Sequence, residues 1–320
     1  MMGRWTKIIV ILNSIAVLCW GTTALTAEQP KFVFVRSGNI WIAESNGGEG
    51  RQLTHSRQDW GPAVSPDGKW VAYYSGRGEE TGFGQIFLIP ATGGLVQQFR
   101  HPEVQGGEHP AFSPDGKSLL FVGLSDLKVN QKKGSEMPLA TMSLTLADLG
   151  SGAVRRLISH PNTNLDTGYI YSNPAFSPDG RLIAYQESGS DVSGGFVVID
   201  LQGKRLFRFP KNSRDATPYW RPQFSSDGQE ILCYSPATDS GKEDIIYLVR
   251  LASGQKTAVT LGSKPTYVDH GKAMVYERRA RERWGSGAAA KADLWRLELK
   301  PGASPKMIIA DAAEPAGQMP

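Results

Sequence analysis

Cysteine is nearly absent from this 320-residue chain, and the two copies, Cys19 and Cys233, fall in very different surroundings. Cys19 lies in an apolar N-terminal stretch with no small residue before it, so it does not read as a lipid-attachment cysteine. If that stretch is removed, Cys233 stands alone and no intramolecular disulfide can form. A chain of this size carries enough core to fold without one. Charge of one sign is lacking too. Net charge is +4, and without residues 1–27, which contain Arg4 and Lys7, 33 basic residues face 31 acidic ones. That balance does not point to nucleic acid. No apolar run reaches the roughly 20 residues of a membrane helix; the longest candidate, residues 8–20, has 13 and is interrupted by Asn13 and Ser14.

Catalytic signatures are equally scarce. The five histidines, His55, His101, His109, His160 and His270, are read as loop or turn residues and show no metal-ligand spacing. Four of them fall on connections of one face, which leaves a spatial cluster open, whereas His270 stands in a degenerate turn, 268–271. There is no Gly-x-Ser-x-Gly elbow. Gly82-Phe83-Gly84 lacks the strand-to-helix context of a phosphate loop. Cys233 sits in an apolar run, Ile231-Leu232-Cys233-Tyr234, and is expected to be a buried small side chain.

What is present begins with an export signal. Arg4 and Lys7 precede the 13-residue apolar run, and small and polar residues follow it up to Ala27. This pattern predicts a signal peptide over 1–27, cut after Ala24 or Ala27, with an uncleaved anchor as the alternative. The mature domain is then 28–320.

The dominant feature is a repeat. Proline followed by a small or polar residue recurs as Pro62-Ala63-Val64, Pro110-Ala111-Phe112, Pro174-Ala175-Phe176, Pro222-Gln223-Phe224, Pro265-Thr266-Tyr267 and Pro315-Ala316-Gly317. Successive prolines are 48, 64, 48, 43 and 50 residues apart. Periods near 40 to 50, each with several short β-branched and aromatic runs, indicate propeller blades. Each unit holds four strand signals, and the third recurs six times, from Ile40-Trp41-Ile42 to Leu294-Trp295-Arg296-Leu297. The expectation is an all-β, six-bladed propeller of four-stranded antiparallel blades. The C-terminal strand at Glu314-Pro315-Ala316 should pair with the N-terminal strand Lys31-Phe32-Val33-Phe34-Val35 and close the ring, which removes open sheet edges.

Four repeats continue into Ser-Pro-Asp-Gly or Ser-Ser-Asp-Gly, giving the pairs Asp67-Gly68, Asp115-Gly116, Asp179-Gly180 and Asp227-Gly228. Asp bonds its own turn and Gly takes the left-handed position, so these are structural turns rather than a metal ring. Ala63, Ala111, Ala175 and Ala316 suit the narrow axis.

The turns of one face are short and uniform. The connections of the other are long and varied: 75–85, 123–141, 159–173, 210–221, 235–244 and 278–293. Binding tends to live on such loops. Trp60, His109, Asn173, Trp220 and Arg221 stand at or just before the axial strands and are the candidate partner contacts, with packing of the loops as the competing role for the two tryptophans. Trp284, in the basic run Arg278-Arg279-Ala280-Arg281-Glu282-Arg283-Trp284, joins them, with a solvated loop as the alternative.

The tetrads at 65–68, 113–116 and 177–180, with Asn39-Ile40-Trp41-Ile42 and Arg51-Gln52-Leu53-Thr54, resemble the WD40-like (PD40) repeats of TolB-type propellers. The resemblance covers residues 30–320. It implies a periplasmic or secreted, monomeric binding module whose partner is a protein or cell-envelope component, such as a peptidoglycan-associated lipoprotein. The chain departs from the family in that no α/β domain precedes the repeats. No cofactor is expected. The alternative is a propeller enzyme, a metal-dependent lactonase or sugar-active hydrolase or lyase, with calcium or manganese in the axial channel; the alanines there disfavour it. The repeats are also similar to the gating domain of prolyl-oligopeptidase-type peptidases, although no hydrolase domain follows.

Overall fold

The computed structural model describes residues 31–76, 84–128, 139–164, 170–189, 192–210, 218–237, 243–279 and 292–317. The expected signal segment and Trp284 lie outside them. The described residues form 24 strands in six four-stranded antiparallel sheets, and the helical content among them is one 3-10 turn, Asp269–Gly271. Five sheets use four consecutive strands each. The sixth joins the two ends of the chain in the order Ala313–Gly317, Lys31–Arg36, Asn39–Glu44, Arg51–Gln52. Phe32 pairs with Gly317, Val33 with Ala316 and Val35 with Ala313. The inner strands are Asp59–Val64, Gly106–Phe112, Ile170–Phe176, Trp220–Phe224, Ser263–Val268 and Ala313–Gly317, and each touches the next around a closed circle. The architecture is the six-bladed propeller expected.

Blades stack face to face, so their second strands are covered on both sides and read as continuous apolar runs. Phe34, Tyr73, Phe121, Tyr185, Cys233 and Tyr276 occupy equivalent places in these strands and are all buried. Six apolar clusters result, one between each pair of neighbouring blades. Each fully buried large side chain contributes roughly 1.5–3 kcal/mol. Burial pushes the Cys233 thiol well up, which makes it a packing residue rather than a nucleophile.

The Ser-x-Asp-Gly turns are self-satisfied. Ser65 Oγ donates to Asp67 Oδ1 at 2.6 Å, the Lys69 amide donates to the same oxygen at 3.1 Å, and the Trp70 amide donates back to Ser65 Oγ at 2.9 Å. The serine-to-aspartate bond recurs at 2.6 Å at Asp115, Asp179 and Asp227. In those three turns the serine hydroxyl, then the backbone amide two residues on, hold the carboxyl below its usual range. Gly68, Gly116, Gly180 and Gly228 all take φ near +70°, the left-handed position that closes the turn. One carboxylate oxygen of each aspartate, Oδ1, is engaged within the turn. Asp115→Ala should therefore cost about 1 kcal/mol in chemical denaturation, the scale of a lost local hydrogen bond, with no change in partner binding.

One blade and the inner strand of the next depart from the expected strand lengths. Segments 123–141 and 159–173, read as loops, contribute to Ser118–Lys128, Leu139–Asp148 and Val154–Asn164 of that blade and to Ile170–Phe176 of its neighbour. Ser143-Leu144-Thr145-Leu146, read as the third strand of that blade, lies within Leu139–Asp148. Inside it, Ser143 and Thr145 are buried, their hydroxyls are 2.9 Å apart, and Ser143 Oγ donates to the Gly123 carbonyl at 3.3 Å. His160 accordingly lies in a strand, as does His109, and not in a loop.

Candidate functional site

Every inner strand breaks register with its neighbour at the same place. The pairing skips residues 61–62, 109–110, 173–174, 221–222, 264–265 and 314–315, each a pre-proline residue and its proline. Proline lacks the amide that the ladder would use, so the strand bulges there. All six pre-proline residues, Gly61, His109, Asn173, Arg221, Lys264 and Glu314, have φ between 47° and 53°. A residue before proline normally prefers extended backbone, and left-handed φ is uncommon outside glycine. Five non-glycine residues in left-handed backbone, together with Gly61, therefore mark this end of the axis in one ring. Such strain concentrates at functional sites and is held by the surrounding structure.

The bulges place these residues around the channel opening on the face of the varied connections. A cavity of about 250 Å3 lies there, lined by all six together with Ser172, Gln186, Trp220 and Tyr234. Below it runs a narrower channel of about 110 Å3, walled by Ala63, Ala111, Ala175 and Ala316 among others. Gly61 leaves its place empty for a reason: a Cβ there would sit 2.4 Å from Tyr74 Cε1. The Tyr74 ring fills that place and stands 5.3 Å from the His109 ring.

The mouth carries a dense charge network. Glu314 Oε2 accepts the Gly61 amide at 2.9 Å, and its Oε1 lies 3.6 Å from Lys264 Nζ. Lys264 also pairs with Glu277 at 3.2 Å, and Glu277 Oε1 accepts the Glu314 amide at 2.6 Å. Burial would push the Glu314 carboxyl up, but Arg221, Lys264, the Gly61 amide and His109 more than reverse this and hold it below the usual range. Glu108, beside His109, is pushed up by burial, against the opposing bond from the Gly84 amide at 3.2 Å. Tyr74 is raised by burial and by Glu314 and Glu108. Asn173 Nδ2 donates to Gln186 Oε1 at 3.3 Å. Arg221 Nη1 is buried and has no hydrogen-bond partner.

His109 is held neutral. Burial lowers its pKa, the Arg221 charge lowers it further and Glu314 opposes both, leaving a value of about 4. An unfolded histidine near 6.5 binds a proton that the folded one refuses, so stability falls as pH drops from about 6.5 toward 4. The loss is on the order of 2–3 kcal/mol across that window. His109→Gln should flatten this limb of a stability-against-pH curve measured by urea unfolding.

Of the candidate contacts, His109, Asn173, Trp220 and Arg221 meet in the cavity. Trp220 lies edge-on to Tyr234, 5.7 Å between centroids. Trp60 is 42% exposed at the rim, outside the cavity lining. His55, His101 and His160 are elsewhere than the mouth. Among the described residues, no group of three or more His, Cys, Asp or Glu is arranged to hold a metal ion. Two mouth residues had no signal of their own, Lys264 and Glu314; their position immediately before a repeat proline was the signal available. Outside the mouth, Arg278 of the basic run pairs with Glu243 at 2.9 Å and lies 5.0 Å from the centre of the Trp295 ring.

Solved structures share this architecture. TolB from Acinetobacter baumannii matches with a TM-score of 0.62 at 22% identity, over 91% of this chain and 67% of that one. An Agrobacterium tumefaciens protein assigned to TolB matches at 0.60 and 15%, over 90% and 92%. The fold is the TolB-type propeller. The TolB-type fold is shared more widely: an oligogalacturonate lyase from Vibrio parahaemolyticus superimposes at 0.53 and 14% identity, over 85% of this chain and 71% of that one. No family model matches the chain. Among curated relatives, an uncharacterized peptidase of Bacillus subtilis, YuxL, is 28% identical over 173 residues, 47% of this chain and 25% of that protein. An uncharacterized protein of Agrobacterium fabrum is 29% identical over 150 residues, 46% of each chain. The matches thus span about a quarter and about half the length of these relatives. No helix among the described residues is long and apolar enough to cross a membrane.

Proposed function

We propose that this chain is an exported, monomeric, non-catalytic binding module that takes a protein or cell-envelope component at the mouth of its axial channel. The observation that carries the reading is the ring of six left-handed pre-proline residues, which turns His109, Asn173, Arg221, Lys264 and Glu314 toward one cavity at an evident conformational cost. Likeness to TolB-type propellers supports a partner of the peptidoglycan-associated lipoprotein class, and the pattern of residues 1–27 supports export. Affinity capture from envelope extracts with the mature chain should return one reproducible partner. Trp220→Ala combined with Arg221→Ala should reduce its recovery at least tenfold. A partner retained at full yield by that variant contradicts the assignment of the mouth.

A second reading is a metal-dependent propeller enzyme. Its support is the fold shared with oligogalacturonate lyases, one of them solved in complex with manganese. Metal analysis of the purified chain separates the two, because stoichiometric manganese or calcium would favour the enzyme.

A further inference from the structure

We propose that the channel mouth is a carboxylate receptor, in which the Arg221 guanidinium takes an acidic side chain of the partner. This rests on the reading of the mouth as the binding site and adds the chemistry that would be recognised. The carboxylates of the mouth are already engaged. Glu314 holds the Gly61 amide and Lys264, Glu277 holds the Glu314 amide and Lys264, and Glu108 holds the Gly84 amide. Lys264 is shared between two carboxylates. What remains unfilled is a donor: Arg221 Nη1, buried and without a partner. A buried unsatisfied donor is costly, and it is best relieved by an acceptor arriving from outside. Arginine presents a planar fork that matches a carboxylate in two parallel bonds.

Charge and size narrow the ligand. Three carboxylates, Glu314, Glu277 and Glu108, stand against two cations, Lys264 and Arg221, so the mouth disfavours a dianion such as phosphate and has room for one negative charge only where Arg221 offers an unfilled donor. The cavity, about 250 Å3, is below the roughly 300 Å3 at which pockets for drug-sized ligands begin. It suits one side chain projecting from a folded partner. Trp60, exposed at the rim, and Trp220 within the lining offer apolar surface around that anchor.

The test uses N-acetyl-glutamate α-amide, whose only carboxylate is on the side chain, and N-acetyl-glutamine α-amide, its neutral isostere. Each is titrated into the full chain and followed by NMR. Glutamate should bind saturably, at least tenfold more tightly than glutamine, and Arg221→Gln should abolish the preference. Equal affinity for the two probes overturns the proposal, as does a preference that survives Arg221→Gln. Tighter binding of N-acetylglycine, which offers only a terminal carboxylate, or of inorganic phosphate overturns the choice of an acidic side chain. The comparison of the two amides needs no variant, so it decides the matter even if Arg221→Gln does not fold. It is also independent of partner capture. A partner lost from the double variant without a glutamate preference leaves the mouth as the site and removes only the carboxylate.

Discussion

Removal of residues 312–320 is expected to lower the melting temperature by at least about 10 °C. Ala313–Gly317 is the inner strand of the blade that closes the ring. Its loss exposes the edge of Lys31–Arg36, including Phe32, Val33 and Val35, all now buried. It also removes buried Ala312 and the Glu314 bonds to Gly61 and Lys264 on the two flanking blades. The cut therefore acts on both sides of the ring. Several kcal/mol are at stake, and in a domain of this size each shifts the midpoint by about 2 °C or more. An uncovered, apolar strand edge also invites association, so the truncated chain should aggregate on heating. A synthetic peptide of residues 310–320 added in trans should restore part of the lost stability. An unchanged melting curve would mean that the ring does not depend on this closure.

Glu314→Ala is expected to be the most damaging single change at the mouth. The carboxylate compensates Arg221 and Lys264 and caps the Gly61 amide, so its removal takes a counter-charge from Arg221, leaves Lys264 with Glu277 alone and leaves the Gly61 donor unsatisfied. Breaking a fully buried pair costs about 3–5 kcal/mol. Glu314 is partly open to the cavity, with 22% of its side chain exposed, and about 2 kcal/mol is the reasonable scale. Glu314→Gln keeps an oxygen for Gly61 and should cost less than Glu314→Ala. The pH dependence separates charge from packing. The folded pKa of Glu314 lies below its ordinary 4.5, so its stabilisation is complete above that value and is lost as pH falls through the depressed one. Wild type and Glu314→Gln should therefore converge in stability at low pH. The His109 limb, between about 6.5 and 4, lies above this window and should persist in the Glu314 variants.

The prolines made the architecture legible because one residue type answers two demands. Proline cannot donate to the ladder, and the alanines after it fit the crowded axis, so six Pro-small steps announced six inner strands. Closure was legible for the complementary reason, since Lys31-Phe32-Val33 lacked a first strand and Glu314-Pro315-Ala316 lacked a second. The mouth was legible in part. His109, Asn173, Trp220 and Arg221 were singled out as residues beside the prolines, whereas Lys264 and Glu314 occupy the same position in the two repeats that lack the Ser-x-Asp-Gly turn. A lysine and a glutamate in a degenerate repeat look like solvated surface. The left-handed backbone that aims all six could not be read, because residues before proline ordinarily extend. Nor could the lowered pKa of His109, which arises first from burial and then from the charge of Arg221, more than a hundred residues away. Trp60 was drawn to the same ring by its neighbourhood, yet it stands exposed at the rim, whereas Trp220, at the equivalent place in its own blade, lines the cavity.

The central claim, that the partner sits on the mouth, is tested most directly by site-specific photo-crosslinking in cells. A photoreactive phenylalanine analogue would replace Trp60 at the rim or Lys117 in the uniform turn of the opposite face. Position 60 should give one discrete adduct, identified by mass spectrometry and lost in Arg221→Gln, while position 117 should give none. An adduct with the same partner from position 117 and not from position 60 would place the interaction on the wrong face and contradict the account.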